Sequence, residues 1–211
     1  MKIKNREDLI YYQKLCITFL RDRNFDKALK TIKSVIKFDK NIPLNYFIKG
    51  RIHDERIEYR DSIYSYKECL KRDPKNRKAK FYLSLAYLSL KDFDKGCRLY
   101  KFRHDLDRLK YFDQLIKWQP DSNPGKVIIW AEQGIGDEVM FMQFFSFLES
   151  LNFEFTVECD KRLHKIVNHN FPFLKVIGRK KILLENYRYH VPIGDLFSIY
   201  YKEMEQIRRP A

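Results

Sequence analysis

The sequence predicts two structural classes in one chain: an all-α domain of helical hairpins over residues 1–110, then an α/β domain with a parallel sheet over residues 120–211. Three observations predict this. An aromatic-centred pattern recurs every 34 residues at Phe25, Tyr59 and Phe93. A turn cluster, Pro120-Asp121-Ser122-Asn123-Pro124-Gly125, is the strongest candidate linker in the chain. Beyond it the order changes to strand, glycine-containing loop and helix.

The repeat is legible position by position. Three residues after each aromatic stands a small residue: Ala28, Ser62 or Gly96. Four further on come Ile32, Tyr66 and Tyr100, and six before each aromatic stand Phe19, His53 and Tyr87. Two antiparallel helices joined by a tight turn need a small residue where their backbones approach, with large residues filling the space on either side. One hairpin cannot bury its apolar face, so the copies stack. The middle copy departs from the pattern at Lys49 and His53, where apolar residues are usual. His53 reads as a packing residue, because no second histidine or cysteine stands near it at metal-ligand spacing.

After residue 110, Tyr111–Gln119 is a short aromatic-rich stretch. Val127–Ala131 is β-branched, continuous and bounded by turn signals, which predicts a fully buried strand. Gln133-Gly134-Ile135-Gly136-Asp137 follows as a loop. A helix is predicted from about Glu138 to Leu151, with Val139, Met142, Phe145 and Leu148 on its buried face. Glu154–Cys159, Leu174–Ile177 and Tyr189–Pro192 complete the predicted strands, and Asp160 caps the helix after the second of them. The loop carries only a partial dinucleotide fingerprint, since Gly134-x-Gly136 lacks a third glycine. Its physical content is narrower. Two glycines at a helix start let a polar or anionic ligand approach free N–H groups, and Asp137 there serves either as a helix cap or as a base.

Composition bounds the function. The net charge of +14 lies wholly in residues 1–110, while residues 111–211 are balanced. The basic half reads first as a solvated lysine-rich surface. Its aromatics occupy packing positions, which argues against base stacking and hence against nucleic acid. Hydrophobic residues at 45% exclude global disorder. No apolar run is long enough for a membrane span. Cys16, Cys69, Cys97 and Cys159 show no CxxC pairing and read as buried thiols of a reducing cytoplasm.

The spacing over residues 8–108 is similar to the tetratricopeptide repeat. That resemblance implies a peptide-binding groove lined by Gln13, Ile17, Leu20, Leu44, Phe47, Arg51, Phe81, Leu85 and Leu88. The same face could equally pack on the chain's own next element. The two halves together resemble bacterial tetratricopeptide-repeat glycosyltransferase-like proteins, distant relatives of O-GlcNAc transferases and heptosyltransferases. The resemblance rests on Trp130–Phe141, on Asp94–Arg103 and on Tyr189–Leu196. It implies the GT-B fold, whose N-terminal Rossmann-like half this α/β domain would be. It also implies Asp137 as catalytic base, and Gln133, Gly134, Gly136 and His190 around an acceptor glycan. No cofactor or metal is expected. The sequence stops about where the first Rossmann-like domain would end. The expectation is therefore a module that is not catalytic alone and needs a donor-binding domain in trans. The alternative is a pure protein-interaction scaffold.

Overall fold

The computed structural model describes residues 3–103, 106–132, 134–179 and 182–208. It divides into two compact units at residues 103 and 104. The division precedes the Pro120–Gly125 turn, which therefore lies inside the second unit and is not a linker between domains.

The first unit is three helical hairpins: α1 (Arg6–Arg21) with α2 (Phe25–Phe38), α3 (Pro43–Glu55) with α4 (Tyr59–Arg72), and α5 (Arg77–Ser89) with α6 (Phe93–Tyr100). Each hairpin turns in the same way. Arg23, Ile57 and Lys91, again 34 residues apart, adopt the left-handed conformation with φ of 57°, 63° and 60°. The next residue then donates back across the turn, Asn24 to Phe19, Glu58 to His53 and Asp92 to Tyr87, at 2.8, 2.9 and 3.0 Å. This arrangement satisfies carbonyls that the helix end would otherwise leave open. Asn24 and Asp92 also cap α2 and α6, accepting from the N–H groups of Lys27 and Lys95.

The small residues sit where the helices cross. Ala28, Ser62 and Gly96 are buried. A Cβ on Gly96 would collide with the Leu88 side chain. A second small series, Cys16, Gly50 and Ser84, faces them from the first helix of each hairpin. Ser84 Oγ donates to the Gly96 carbonyl at 3.0 Å, and a Cβ on Gly50 would stand 2.5 Å from the Tyr66 ring. Within the middle hairpin Arg72 ties α4 back to α3 and to the segment that precedes it: its guanidinium lies 3.9 Å from the Tyr46 ring centroid and donates to the Tyr46 hydroxyl and the Lys40 carbonyl.

In the second unit, α7 (Leu106–Phe112) precedes a five-stranded sheet in which every pairing is parallel. The order is β1 (Ile116–Lys117), β5 (Tyr189–Pro192), β2 (Lys126–Trp130), β3 (Glu154–Cys159) and β4 (Lys175–Gly178). The two-residue β1 comes from the aromatic-rich stretch that the sequence left unassigned. Val127 to Trp130 are all buried, as a central parallel strand requires. On one face Phe112 stacks on Trp130 with centroids 4.7 Å apart and planes 10° apart. Elsewhere in the unit Trp118 meets Phe153 and Phe155 edge to face.

The helix after β2 is shorter than its sequence suggests. α8 covers Ile135–Met142 and gives way to a 3-10 turn at Phe145–Leu148. The buried face also differs: Glu138, Phe141 and Met142 point inward, while Val139 is 52% exposed. Met142, Phe145 and Leu148 are buried as expected. Among the described residues the remaining α-helices are α9 (His164–Asn170) and α10 (Asp195–Arg208). Among the described residues no helix is long and apolar enough to cross a membrane, and all four cysteines are buried thiols outside any disulfide.

Candidate functional site

The strand order places one location apart from the rest. From β2 the chain continues to β3 on one side, and β5 later adds on the other. Ligands of open parallel sheets bind beyond the carboxyl ends of the strands at such a reversal. The segments that meet there follow β2 at Ala131 and Glu132 and β5 at residues 193–194. The Gly194 N–H donates to Glu132 Oε1 at 3.1 Å, tying the two loops together.

Gly134 is the N-cap of α8 and has no side chain to cap with. Asp137 takes over part of that role from the third helical position, its Oδ2 accepting the Gly134 N–H at 3.1 Å. It is therefore not the N-cap residue itself, although it satisfies an amide at the helix start and remains partly exposed. Neither glycine is demanded by the backbone, because no described glycine has a positive φ. A Cβ on Gly136 would meet nothing within 4 Å, and one on Gly134 only the Asp137 carboxylate at 3.7 Å. Gln133, between these loop residues, lies outside the described residues.

His190 is buried in the core beneath this edge. Its ring stacks on Phe112 and its Nδ1 accepts the Trp130 indole N–H at 3.1 Å. It supports β2 and β5 and does not reach the surface where a ligand would lie.

Two buried acids, Glu138 and Glu158, hold the edge together. Glu138, fully buried, accepts the Asp160 N–H at 2.8 Å and pairs with Arg179. Glu158, at the end of β3, accepts the Ala131 N–H at 3.3 Å and pairs with Arg108 of α7. Burial pushes the Glu158 carboxyl above its ordinary range, against the pull of Arg108. At the β1 end of the sheet, Lys117 Nζ lies 2.6 Å from Asp195. Asp160 caps the turn after β3 as expected, and its carboxyl is held well below the usual range by hydrogen bonds from Arg162. Glu138 could not be read from sequence because it finds both partners in distant segments.

In the first unit the expected groove residues differ in exposure. Ile17 and Leu44 are 43% and 46% exposed, and Ile10 and Tyr11 beside them are also exposed. Leu20, Phe47, Phe81, Leu85 and Leu88 are half-buried, and Leu88 is committed to the crossing with Gly96. Gln13 is buried and donates to Asn45 Oδ1 at 2.5 Å, which makes it a joint between the first two hairpins. The Arg51 guanidinium stacks 4.2 Å from the Tyr82 ring centroid and meets Glu55 at 3.4 Å.

No protein-family model matches the chain. No curated protein matches it either. Among solved structures, a CopN–Scc3 complex is similar at 13% identity and a TM-score of 0.46, over 52% of this chain and 68% of that one. The Yersinia enterocolitica type III secretion chaperone SycD, in complex with a peptide of the translocator YopD, gives 15% identity and a TM-score of 0.45 over 52% and 87%. A mutant O-GlcNAc transferase of Thermobaculum terrenum gives 11% identity and a TM-score of 0.34, over 84% of this chain and 42% of that one. Likenesses this distant carry no argument about activity.

Proposed function

We propose that the chain is a glycosyltransferase-like interaction protein. In this reading the repeat unit binds a protein or peptide segment along α1, α3 and α5. The α/β unit binds a hydroxyl-bearing, glycan-like ligand at the carboxyl end of β2, and a second Rossmann-like domain supplies the donor sugar. Gly136 carries the second half of this reading. A glycine in a helix costs about 1 kcal/mol relative to alanine, and neither backbone angle nor crowding requires one at this position. Clearance for a ligand at the helix start accounts for it. In this reading Asp137, one residue on, accepts a hydroxyl's proton as a bond forms. The exposed apolar side chains of Ile10, Ile17 and Leu44 support the first half.

The test is titration of the isotope-labelled chain with methyl glucoside and N-acetylglucosamine, followed by amide NMR. Saturable shifts are expected at residues 134–138. Asp137→Asn still accepts the Gly134 N–H, so folding and glycoside binding should persist, while transfer should be lost in an assembly that includes a donor-binding domain. A ligand-free 134–138 segment, together with peptide capture that Ile17→Glu and Leu44→Glu abolish, would reduce the chain to an interaction scaffold.

A further inference from the structure

The middle hairpin departs from its neighbours at three positions together, and all three departures meet in space. Where the outer hairpins carry Phe19 and Tyr87, the middle one carries His53. Where they carry the helix caps Asn24 and Asp92, it carries Glu58, whose side chain makes no cap. Where they carry Lys27 and Lys95, it carries Asp61. The Glu58 carboxylate instead turns to His53, with Oε2 at 2.6 Å from Nδ1. Arg56 Nε donates to the other oxygen at 2.7 Å, and the same guanidinium reaches Asp26 at 2.5 Å, which fixes the carboxylate's orientation. The His53 side chain is only 8% exposed, so its ring cannot swing away. One ligand-type atom from each of His53, Glu58 and Asp61 lies within 4.8 Å of the other two.

We infer that His53, Glu58 and Asp61 form a binding site for a divalent transition-metal ion, zinc fitting best. An imidazole nitrogen and two carboxylate oxygens are a donor set that zinc accepts, with the remaining position left to water. The ion takes the place of the proton between Nδ1 and Oε2, which leaves to solvent as the metal binds. Arg56 on the free Glu58 oxygen acts as the outer partner that orients a ligating carboxylate. The packing role that suits Phe19 and Tyr87 explains neither the acid at position 61, where both neighbours have lysine, nor the diversion of Glu58 from capping. No second histidine or cysteine stands near His53 in the sequence, but the turn brings two carboxylates to its ring. Bound there, the ion clasps the end of α3 to the start of α4 across the left-handed Ile57.

The experiment uses the full chain, with zinc chloride in a non-coordinating buffer, calorimetry, and thermal unfolding before and after chelation. One ion per chain is expected, with a Tm that rises with zinc concentration and falls back on adding EDTA. His53→Phe and Asp61→Lys install residues that the outer hairpins already carry, so both variants should fold. Each should weaken zinc about tenfold or more. A wild-type chain that takes up no zinc, or variants that bind as tightly as wild type, would overturn the site and leave His53 and Glu58 as an ion pair only. If a variant does not fold, cobalt(II) added to the wild-type chain decides. Paramagnetic broadening that begins at the His53 ring supports the site, and broadening that begins at His164 or His169 refutes it.

Discussion

The two units solve the same problem in opposite ways. In the repeat unit one junction is built three times, with Cys16, Gly50 and Ser84 facing Ala28, Ser62 and Gly96, so each copy is a control for the others. In the sheet unit nothing is repeated. Glu138, Glu158 and His190 are each satisfied by a partner that occurs once and lies far along the chain. The repeat therefore tolerates a degenerate copy, and its middle hairpin is where new polar chemistry appears. The sheet unit has no spare copy, and its buried charges must be matched singly, because an unpaired charge in an apolar interior is costly.

The largest effect expected from this difference is at Trp130. Trp130→Ala removes a fully buried ring together with its stack on Phe112 and its hydrogen bond to His190, and should cost about 3–5 kcal/mol. Both tryptophans lie in the second unit, so urea unfolding followed by the fluorescence of Trp118 reports that unit alone. A midpoint unchanged from wild type would contradict a sheet unit without redundancy.

A smaller loss is expected at a repeated junction. Ala28→Leu forces a large side chain into the crossing of α1 and α2, where Ala28 is fully buried, at about 1–3 kcal/mol. Thermal unfolding by circular dichroism measures it. Equal costs for Ala28→Leu and Ser62→Leu would sharpen the equivalence of the copies, and no cost in either would break it.

The smallest effect has the opposite sign. Ile57 is 71% exposed and β-branched, yet holds a φ of 63°, a conformation that costs an L-residue about 1–2 kcal/mol. Part of that is offset by the greater freedom of glycine in the unfolded chain. Ile57→Gly should raise stability by about 1 kcal/mol, read as a Tm increase of a few degrees. A fall in Tm would mean that the isoleucine side chain makes a contribution its exposure conceals.

What sequence alone determined is uneven for the same reason. The hairpin repeat, the small residues Ala28, Ser62 and Gly96 and the strands near 127–131, 154–159 and 189–192 were legible, because each depends on neighbours within one or two turns or on a continuous apolar run. The left-handed turn residues were not foreseen, since Arg23, Ile57 and Lys91 share a spacing but no chemistry. The early end of α8 and the exposure of Val139 escaped for a different reason: Glu138 turns inward to the Asp160 amide and Arg179, and that rotates the face a periodic reading would bury. The loop at Gly134–Asp137 could be found by its glycines. Its position at the reversal of the sheet could not, because strand order is set by long-range pairing between segments that say nothing of one another. His190 shows the limit in one residue. The resemblance implied a ligand-lining role for it, and only the tertiary structure shows it buried, with Phe112 against its ring and the Trp130 indole on its nitrogen.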